Sequence, residues 1–557
     1  MGVDSVQSAA EDAEKTAPVA TPTDVAEEET YLTGAKLYQV LIAVTLAGYI
    51  TTLDSSIVAT AIPRITDRFN SLPDVGWYGS AYLISLCACQ PSSGKLYENH
   101  SLKYVFFSFL VTFEVGSLLC GLAQSSKMLI VGRAISGIGG SGLVNGALTI
   151  LGSAAPKDKR PRKYFLDLSL RAELTLDVIV LTGTVMSMVL VGILSGPLLG
   201  GVITQRASWR WCFLINLPAG GFTALVLLIS PIPQNSKGQG AKLTIKQTIA
   251  RLDPVGFLTF APTCVMFLLA LEWGGTKYPW KSATIIGLFC GGAGMLLVFG
   301  VFEHRRGDTA MIPLALLRQR ALYCSCLASV FLFGGIQTFA YYMPIWFQTI
   351  KGATPSMSGV DFLPSILSMI IATMIAGFAV SKVGYYTPFA IVGNGMSAIG
   401  GGLLTTLVPS TPASRWIGFQ VLTGLGRGLA MQQSLTAVQT RLPKSQIAVG
   451  TTLVVFTQYF GGALFLAVAQ TIFSASLGPA LAEWAPDVSK ELVVSVGATA
   501  VRGVVSEAQL PGVLLAYNQA LVHTWYLPVA SAVAAFCASW GLGWGSVKTK
   551  KKASSAV

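Results

Sequence analysis

The chain has 557 residues, of which 52% are hydrophobic and only 11% charged. With a mean hydropathy of +0.61 it lacks the charge a soluble protein of this length needs to cover its surface. The formal net charge of +12 invites a nucleic-acid partner, but the basic residues sit in loops between apolar blocks, so membrane topology accounts for them.

The first 36 residues hold Asp4, Glu11, Asp12, Glu14, Asp24, Glu27, Glu28 and Glu29 among Thr, Pro and Ala. Such a segment has nothing to bury and is expected to be a disordered acidic cytoplasmic tail. It lacks the basic start and apolar core of a cleaved signal peptide, so the first helix must act as the insertion signal. Apolar blocks of bilayer length follow, and backbone in hydrocarbon must be helical. They run Leu37–Ile62, Trp77–Gly94, Tyr104–Ala123, Met128–Ala155, Ile179–Ile203 and Cys212–Ile232. Two more are Val255–Leu271 and Ser282–Phe302. The last six are Leu322–Phe347, Ser358–Ala379, Tyr386–Leu407, Trp416–Ala437, Ala448–Ile472 and Gln519–Trp544. The fold class is therefore all-α integral membrane with about fourteen transmembrane helices.

This divides the chain into a six-helix bundle over 37–232, a central loop with two extra helices over 233–302, and a second six-helix bundle over 303–473 and 517–547. An external loop, 474–516, interrupts the second bundle, and a basic tail, 548–557, ends the chain. An even helix count puts both termini on one side. The loops on that side hold more than twice as many Lys and Arg as the opposite ones, which places both ends in the cytoplasm. The sequon at Asn99 then faces the cytoplasm and should stay unmodified. All nine cysteines lie in or beside apolar blocks without metal spacing, and they are expected to be small helix-packing residues. No metal and no cofactor is called for.

Ionisable residues within membrane helices are expensive and mark function by default. Asp54, Glu114 and Arg133 stand out as candidates for proton coupling. A buried carboxylate whose cationic partner comes and goes with conformation is suited to carry a proton; a permanent ion pair that locks helices is the alternative. Glycines at 192, 196 and 200 recur every fourth residue, so one helix face can approach a neighbour at backbone distance. With Pro197, which removes a donor, and Gly201 they read as a smooth bent hinge. Gly137-x-Gly139 recurs as Gly424-x-Gly426, setting Arg133 opposite Gln420, so the charge belongs to the first half alone. Transporters built from repeated bundles bind substrate between them. Gln337, Tyr341, Tyr342, Asn394, Gln432, Gln433, Gln458 and Tyr459 are the candidate wall of such a site, suited to a bulky apolar solute with a few polar groups.

The run Leu53-Asp54-Ser55-Ser56-Ile57-Val58, Arg133 with its glycines, and Gly192 to Gly201 together resemble the fourteen-helix drug:proton antiporters of the major facilitator superfamily. Phe113-Glu114-Val115-Gly116-Ser117 and Trp209-Arg210-Trp211-Cys212-Phe213-Leu214-Ile215-Asn216-Leu217-Pro218 are similar to fungal toxin efflux pumps, as is Ser358-Gly359-Val360-Asp361-Phe362-Leu363-Pro364. The resemblance implies a gating loop at Gly94, Glu98 and Lys103, although Glu98 stands where the family has aspartate, and Ser101 and Leu102 replace its glycine and arginine. It implies a monomeric proton-coupled pump that exports a hydrophobic secondary metabolite or toxin, and secondarily drugs, across the plasma membrane. The proton gradient supplies the energy. A vacuolar or vesicular membrane is the alternative location, and import of a siderophore or other nutrient the alternative activity. Against the family spacing, about 164–185 looks inserted, with Arg171, Glu173 and Asp177 among Leu and Val; a retained intron and a genuine long loop both fit. An enzyme is disfavoured, since only His100, His304 and His523 exist, scattered, and no phosphate-cradling glycine loop is present.

Overall fold

A computed structural model describes residues 35–69, 75–154, 178–230, 253–275, 277–307, 310–443, 446–488 and 505–547. Residues 1–34 of the acidic tail, most of the suspected insertion, the centre of the loop expected to be external and the basic tail lie outside them. The described residues are helical throughout, apart from short connections and two isolated bridges.

Each of the fourteen apolar blocks coincides with one helix or with two in series. The first bundle comprises α1 (Ala35–Phe69), α2 (Val75–Asn99), α3 (Leu102–Gly121), α4 (Ser126–Ala154), α5 (Val178–Arg206) and the consecutive α6 (Trp211–Leu214) and α7 (Asn216–Ile229). The extra pair is α8 (Pro254–Trp273) and α9 (Ala283–Arg306). After the short α10 (Leu314–Leu317) come α11 (Arg320–Thr349), α12 (Pro355–Val383), α13 (Thr387–Leu404), α14 (Ala413–Met431), α15 (Gln433–Arg441), α16 (Ile447–Trp484) and α17 (Leu510–Ser539). Ten spans among the described residues are long and apolar enough to cross a bilayer. Large apolar side chains point outward from them, Leu297 (72% exposed) and Phe378 (63%) among them, as a lipid-facing surface requires. The chain is a multi-pass membrane protein.

The helix ends follow capping chemistry. Thr354 accepts from the Met357 amide ahead of Pro355, and α12 stops at Gly384, whose φ of 91° is open to glycine. Several boundaries differ from the sequence reading: α1 runs on to Phe69, and α17 starts at Leu510, inside the expected external loop. α16 continues through Pro479 to Trp484, because Leu477, Ala480 and Leu481 bury against Tyr517 and Trp525 of α17. α2 runs to Asn99, so Gly94 and Glu98 occupy its last turns instead of a loop. Cys290 and Cys537 are exposed, contrary to the packing role expected of every cysteine; the other seven are buried or half-buried.

The two bundles repeat one contact plan. In the first, α1 packs on α5 and α4 on both α2 and α3; in the second, α11 packs on α16 and α14 on both α12 and α13. The halves meet where α5 lies on α12 and α2 on α16, and α8 touches both α2 and α16. At the end bearing the basic loops the seam is packed shut by Ala88, Val144 and Leu148 against Leu435, Val438, Leu442, Val449 and Leu453. Met311 and Ile312, from the linker after α9, are wedged into this cluster. Buried Asp253 and Glu303 accept from their two amides, at 3.0 and 2.8 Å. The extra helices thus hold a linker that is packed into the seam between the halves.

Candidate functional site

The α1–α4 crossing carries the only ion pair between fully buried side chains among the described residues. Asp54 is 0% and Arg133 1% exposed, and Arg133 Nη1 donates to Asp54 Oδ2. Arg133 Nε donates to the Tyr78 carbonyl at 2.9 Å, while its guanidinium lies 4.5 Å from the centre of the Tyr82 ring. Asn216 Nδ2, at the start of α7, donates to Asp54 Oδ1 at 2.9 Å and to Ser117 Oγ at 3.2 Å. Three helices, α1, α4 and α7, therefore meet at one carboxylate, and α3 is joined to it through Asn216. A charge this deep is tolerable only when paired and hydrogen-bonded, and every lone pair committed here ties Asp54 to another helix. A proton arriving on Asp54 would remove the charge that holds Arg133, so proton occupancy and the α1–α4 contact are linked.

Glu114 is not a member of that ion pair. It is half-buried on α3, both carboxylate oxygens lack hydrogen-bond partners among the described residues, and its side chain is pressed against Gly220 of α7, one turn from Asn216. Asn216 has no role in the sequence analysis beyond its place in the motif Trp209 to Pro218; an amide in an apolar block, two residues before Pro218, is the signal that marks it. Asn216→Ala is expected to strand Asp54 Oδ1 and Ser117, costing about 1–3 kcal/mol. Thermal unfolding of the purified variant checks this, and a midpoint equal to the parent's would contradict it.

The glycine face of α5 meets α1 at the same level. A side chain at Gly192 would strike Thr52 and the Tyr49 carbonyl, and one at Gly196 would strike Ser56 and the Ile57 amide. Thr52 Oγ1 donates to the Val189 carbonyl at 3.0 Å, Ser56 Oγ to the Gly192 carbonyl at 3.2 Å, and Tyr49 and Ser195 hydroxyls share a 3.0 Å bond. Gly200 is buried, Gly201 has open space beside it, and α5 continues as helix through Pro197. In the expected gating stretch, Gly94 fits against Thr452 across the seam, Glu98 pairs with Lys95 at 3.4 Å, and Lys103 donates to the Leu228 and Ser230 carbonyls at 2.8 and 3.1 Å.

The internal repeat is visible in atoms. Gly137 packs on the Tyr82 carbonyl and Gly139 on Phe113; Gly424 packs on the Ser365 carbonyl and Gly426 on Gly393 and Ser397. One turn before those carbonyls, Arg133 bonds Tyr78, and Gln420 Nε2 bonds the Asp361 carbonyl at 3.0 Å. Gln420 thus takes the place of Arg133 in the second half, without its charge.

The candidate wall residues separate. Asn394 donates to Ser539 at 2.9 Å and Tyr342 to Gln470 at 2.9 Å, both bonds between helices. Gln433 donates to the Leu429 carbonyl at 2.8 Å within its own segment. Gln432, 1% exposed at the α14–α15 junction, has neither amide atom bonded. Gln458 is 7% exposed and Tyr341 51%, while Gln337 is exposed beside Gly462. Tyr459, from the second half, packs on the cluster containing Tyr82, the ring beneath Arg133. Also unanticipated is a pin between α2 and α4, in which Gln90 donates to Asn145 at 3.0 Å.

The family profile described as Major Facilitator Superfamily matches residues 44–466. The chain belongs to the major facilitator superfamily. This facilitator is 47% identical over 528 residues to "Efflux pump mlcE" of Penicillium citrinum, covering 93% of this chain and 92% of that protein. It is 45% identical to "Efflux pump mokI" of Monascus pilosus, with 97% and 98% covered, and 44% identical to "MFS-type transporter pigP" of Monascus ruber, with 95% and 90% covered. A proton:xylose symporter, XylE, shares the fold at TM-score 0.58 and 14% identity, with 93% of this chain and 98% of that one covered. The facilitator is a transporter, not an enzyme, and stands among relatives that include fungal efflux pumps.

Proposed function

We propose that this facilitator is a proton-coupled antiporter that exports hydrophobic small molecules, chiefly a fungal secondary metabolite or toxin, across the plasma membrane with both termini in the cytoplasm. The observation that carries the reading is the buried Asp54–Arg133 pair seated beside the glycine face of α5. Protonation of Asp54 weakens its hold on α4, and the α1–α5 surface lets the first bundle rock against the second. Cargo biases that equilibrium only through its different affinity for the two arrangements. The relatives named efflux pumps support export over import. The test is purified protein in lipid vesicles with an imposed pH difference and rhodamine 6G as the lipophilic probe. Gradient-driven dye movement that a protonophore abolishes is the expected result; no movement under the gradient would overturn the reading.

A further inference from the structure

Arg427, on α14, is a buried cation that the coupling site does not use. It is 6% exposed, and its guanidinium carbon lies 4.5 Å from the centre of the Phe339 ring. Its Nη2 reaches the Gly335 carbonyl at 3.4 Å, the long limit for such a bond. No carboxylate pairs with it among the described residues. Both contacts come from α11, one turn apart, and the sequence of α11 contains no acidic residue.

Arginine keeps its proton inside proteins, and a buried charge without a counter-ion is costly. The first half meets that cost at Arg133 with Asp54 on α1. The second half has a cation on α14 facing α11, the helix that corresponds to α1, and no acid there to answer it. Among the described residues, one hydrogen bond to Gly335 is all that engages the five donors of Arg427. The walls beside it are aromatic: the guanidinium lies over Phe339, whose ring is 5.6 Å from that of Phe362, and Leu332, Ile336 and Ala430 form one apolar cluster on the same two helices. An unanswered fork of donors beside aromatic walls suits one chemical class.

We propose that Arg427 is the anchor for a carboxylate carried by the exported solute, so that the favoured cargo is an amphipathic organic acid. The guanidinium takes the carboxylate in paired hydrogen bonds, and the rings of Phe339 and Phe362 receive the apolar body. This refines the cargo of the proposed pump and rests on that reading, but the test uses no pH gradient, so the two can fail separately.

The test is direct binding to the purified full-length chain in lipid nanodiscs, with dansyl-undecanoic acid and its methyl ester as probes. The parent is expected to bind the acid more tightly than the ester. Arg427→Met, which fills the space without charge, is expected to weaken the acid by about tenfold or more, the scale of one charge-assisted contact, and to leave ester binding intact as evidence of fold. Arg427→Gln should behave likewise, and Arg427→Lys should recover part of the preference. A parent with no preference for the acid, or with no affinity for either probe, would overturn the inference. So would a preference that survives Arg427→Met, or an equal loss of both probes, since a merely structural arginine predicts the latter.

Discussion

Asp54→Asn is expected to reduce gradient-driven export to background while the chain still reaches the membrane. The asparagine keeps the shape of the carboxylate and loses both its charge and its capacity to carry a proton. Arg133 would remain at 1% exposure with the Tyr78 carbonyl and the faces of Tyr82 and Phe213 as its company. Breaking one partner out of a buried pair costs about 3–5 kcal/mol, so the thermal midpoint should fall as well. Lost transport could then reflect lost stability, and a second substitution separates the two. Asp54→Asn combined with Arg133→Gln removes both charges and should be less destabilised than the two single changes added together, yet it should still fail to pump. Counterflow of dye without a gradient, which needs binding and rocking but no proton, should survive in the double variant. Parental export by Asp54→Asn under a pH gradient would refute the assignment.

The spans were legible because hydrocarbon imposes a length and an apolar composition that no packing detail alters. The intramembrane charges were legible for the converse reason: each is too costly to be incidental. What the sequence could not supply was pairing. Asp54 and Glu114 look alike as acids in apolar helices, but only Asp54 meets Arg133 and Asn216; Glu114 lies against Gly220 with both oxygens unbonded. Likewise Gln337 and Asn394 read equally as polar residues in apolar segments, yet one is exposed and the other pins α13 to α17. Helix rotation decides such cases, and it is set by partners 79, 162 and 145 residues away. The repeat carried further than composition. Aligning two glycine pairs set Gln420 opposite Arg133, and their matching bonds to Asp361 and Tyr78 bear that out.

Gly196→Val is expected to impair export without touching any charged group. A β-carbon at 196 would come within 2.8 Å of Ser56 Cβ and 2.9 Å of the Ile57 amide nitrogen, closer than packed atoms tolerate, and valine adds two methyls to the collision. The backbone of α1 cannot swing aside as a flexible side chain would. It must move away from α5, breaking the Ser56 bond to the Gly192 carbonyl and straining that of Thr52 to Val189. Asp54 lies between Thr52 and Ser56 in sequence, so the displacement carries the carboxylate off Arg133. Overpacking of this kind costs about 1–3 kcal/mol, and a bias of that size on a two-state equilibrium corresponds to roughly 5- to 150-fold. Gly201→Ala provides the contrast. It belongs to the same glycine run, but nothing lies within 4 Å of the added carbon, and alanine favours helix over glycine. Initial rates of gradient-driven dye export in vesicles should therefore collapse for Gly196→Val and persist for Gly201→Ala. Equal loss in both would mean that glycine serves this helix through its flexibility, not through its contact with α1.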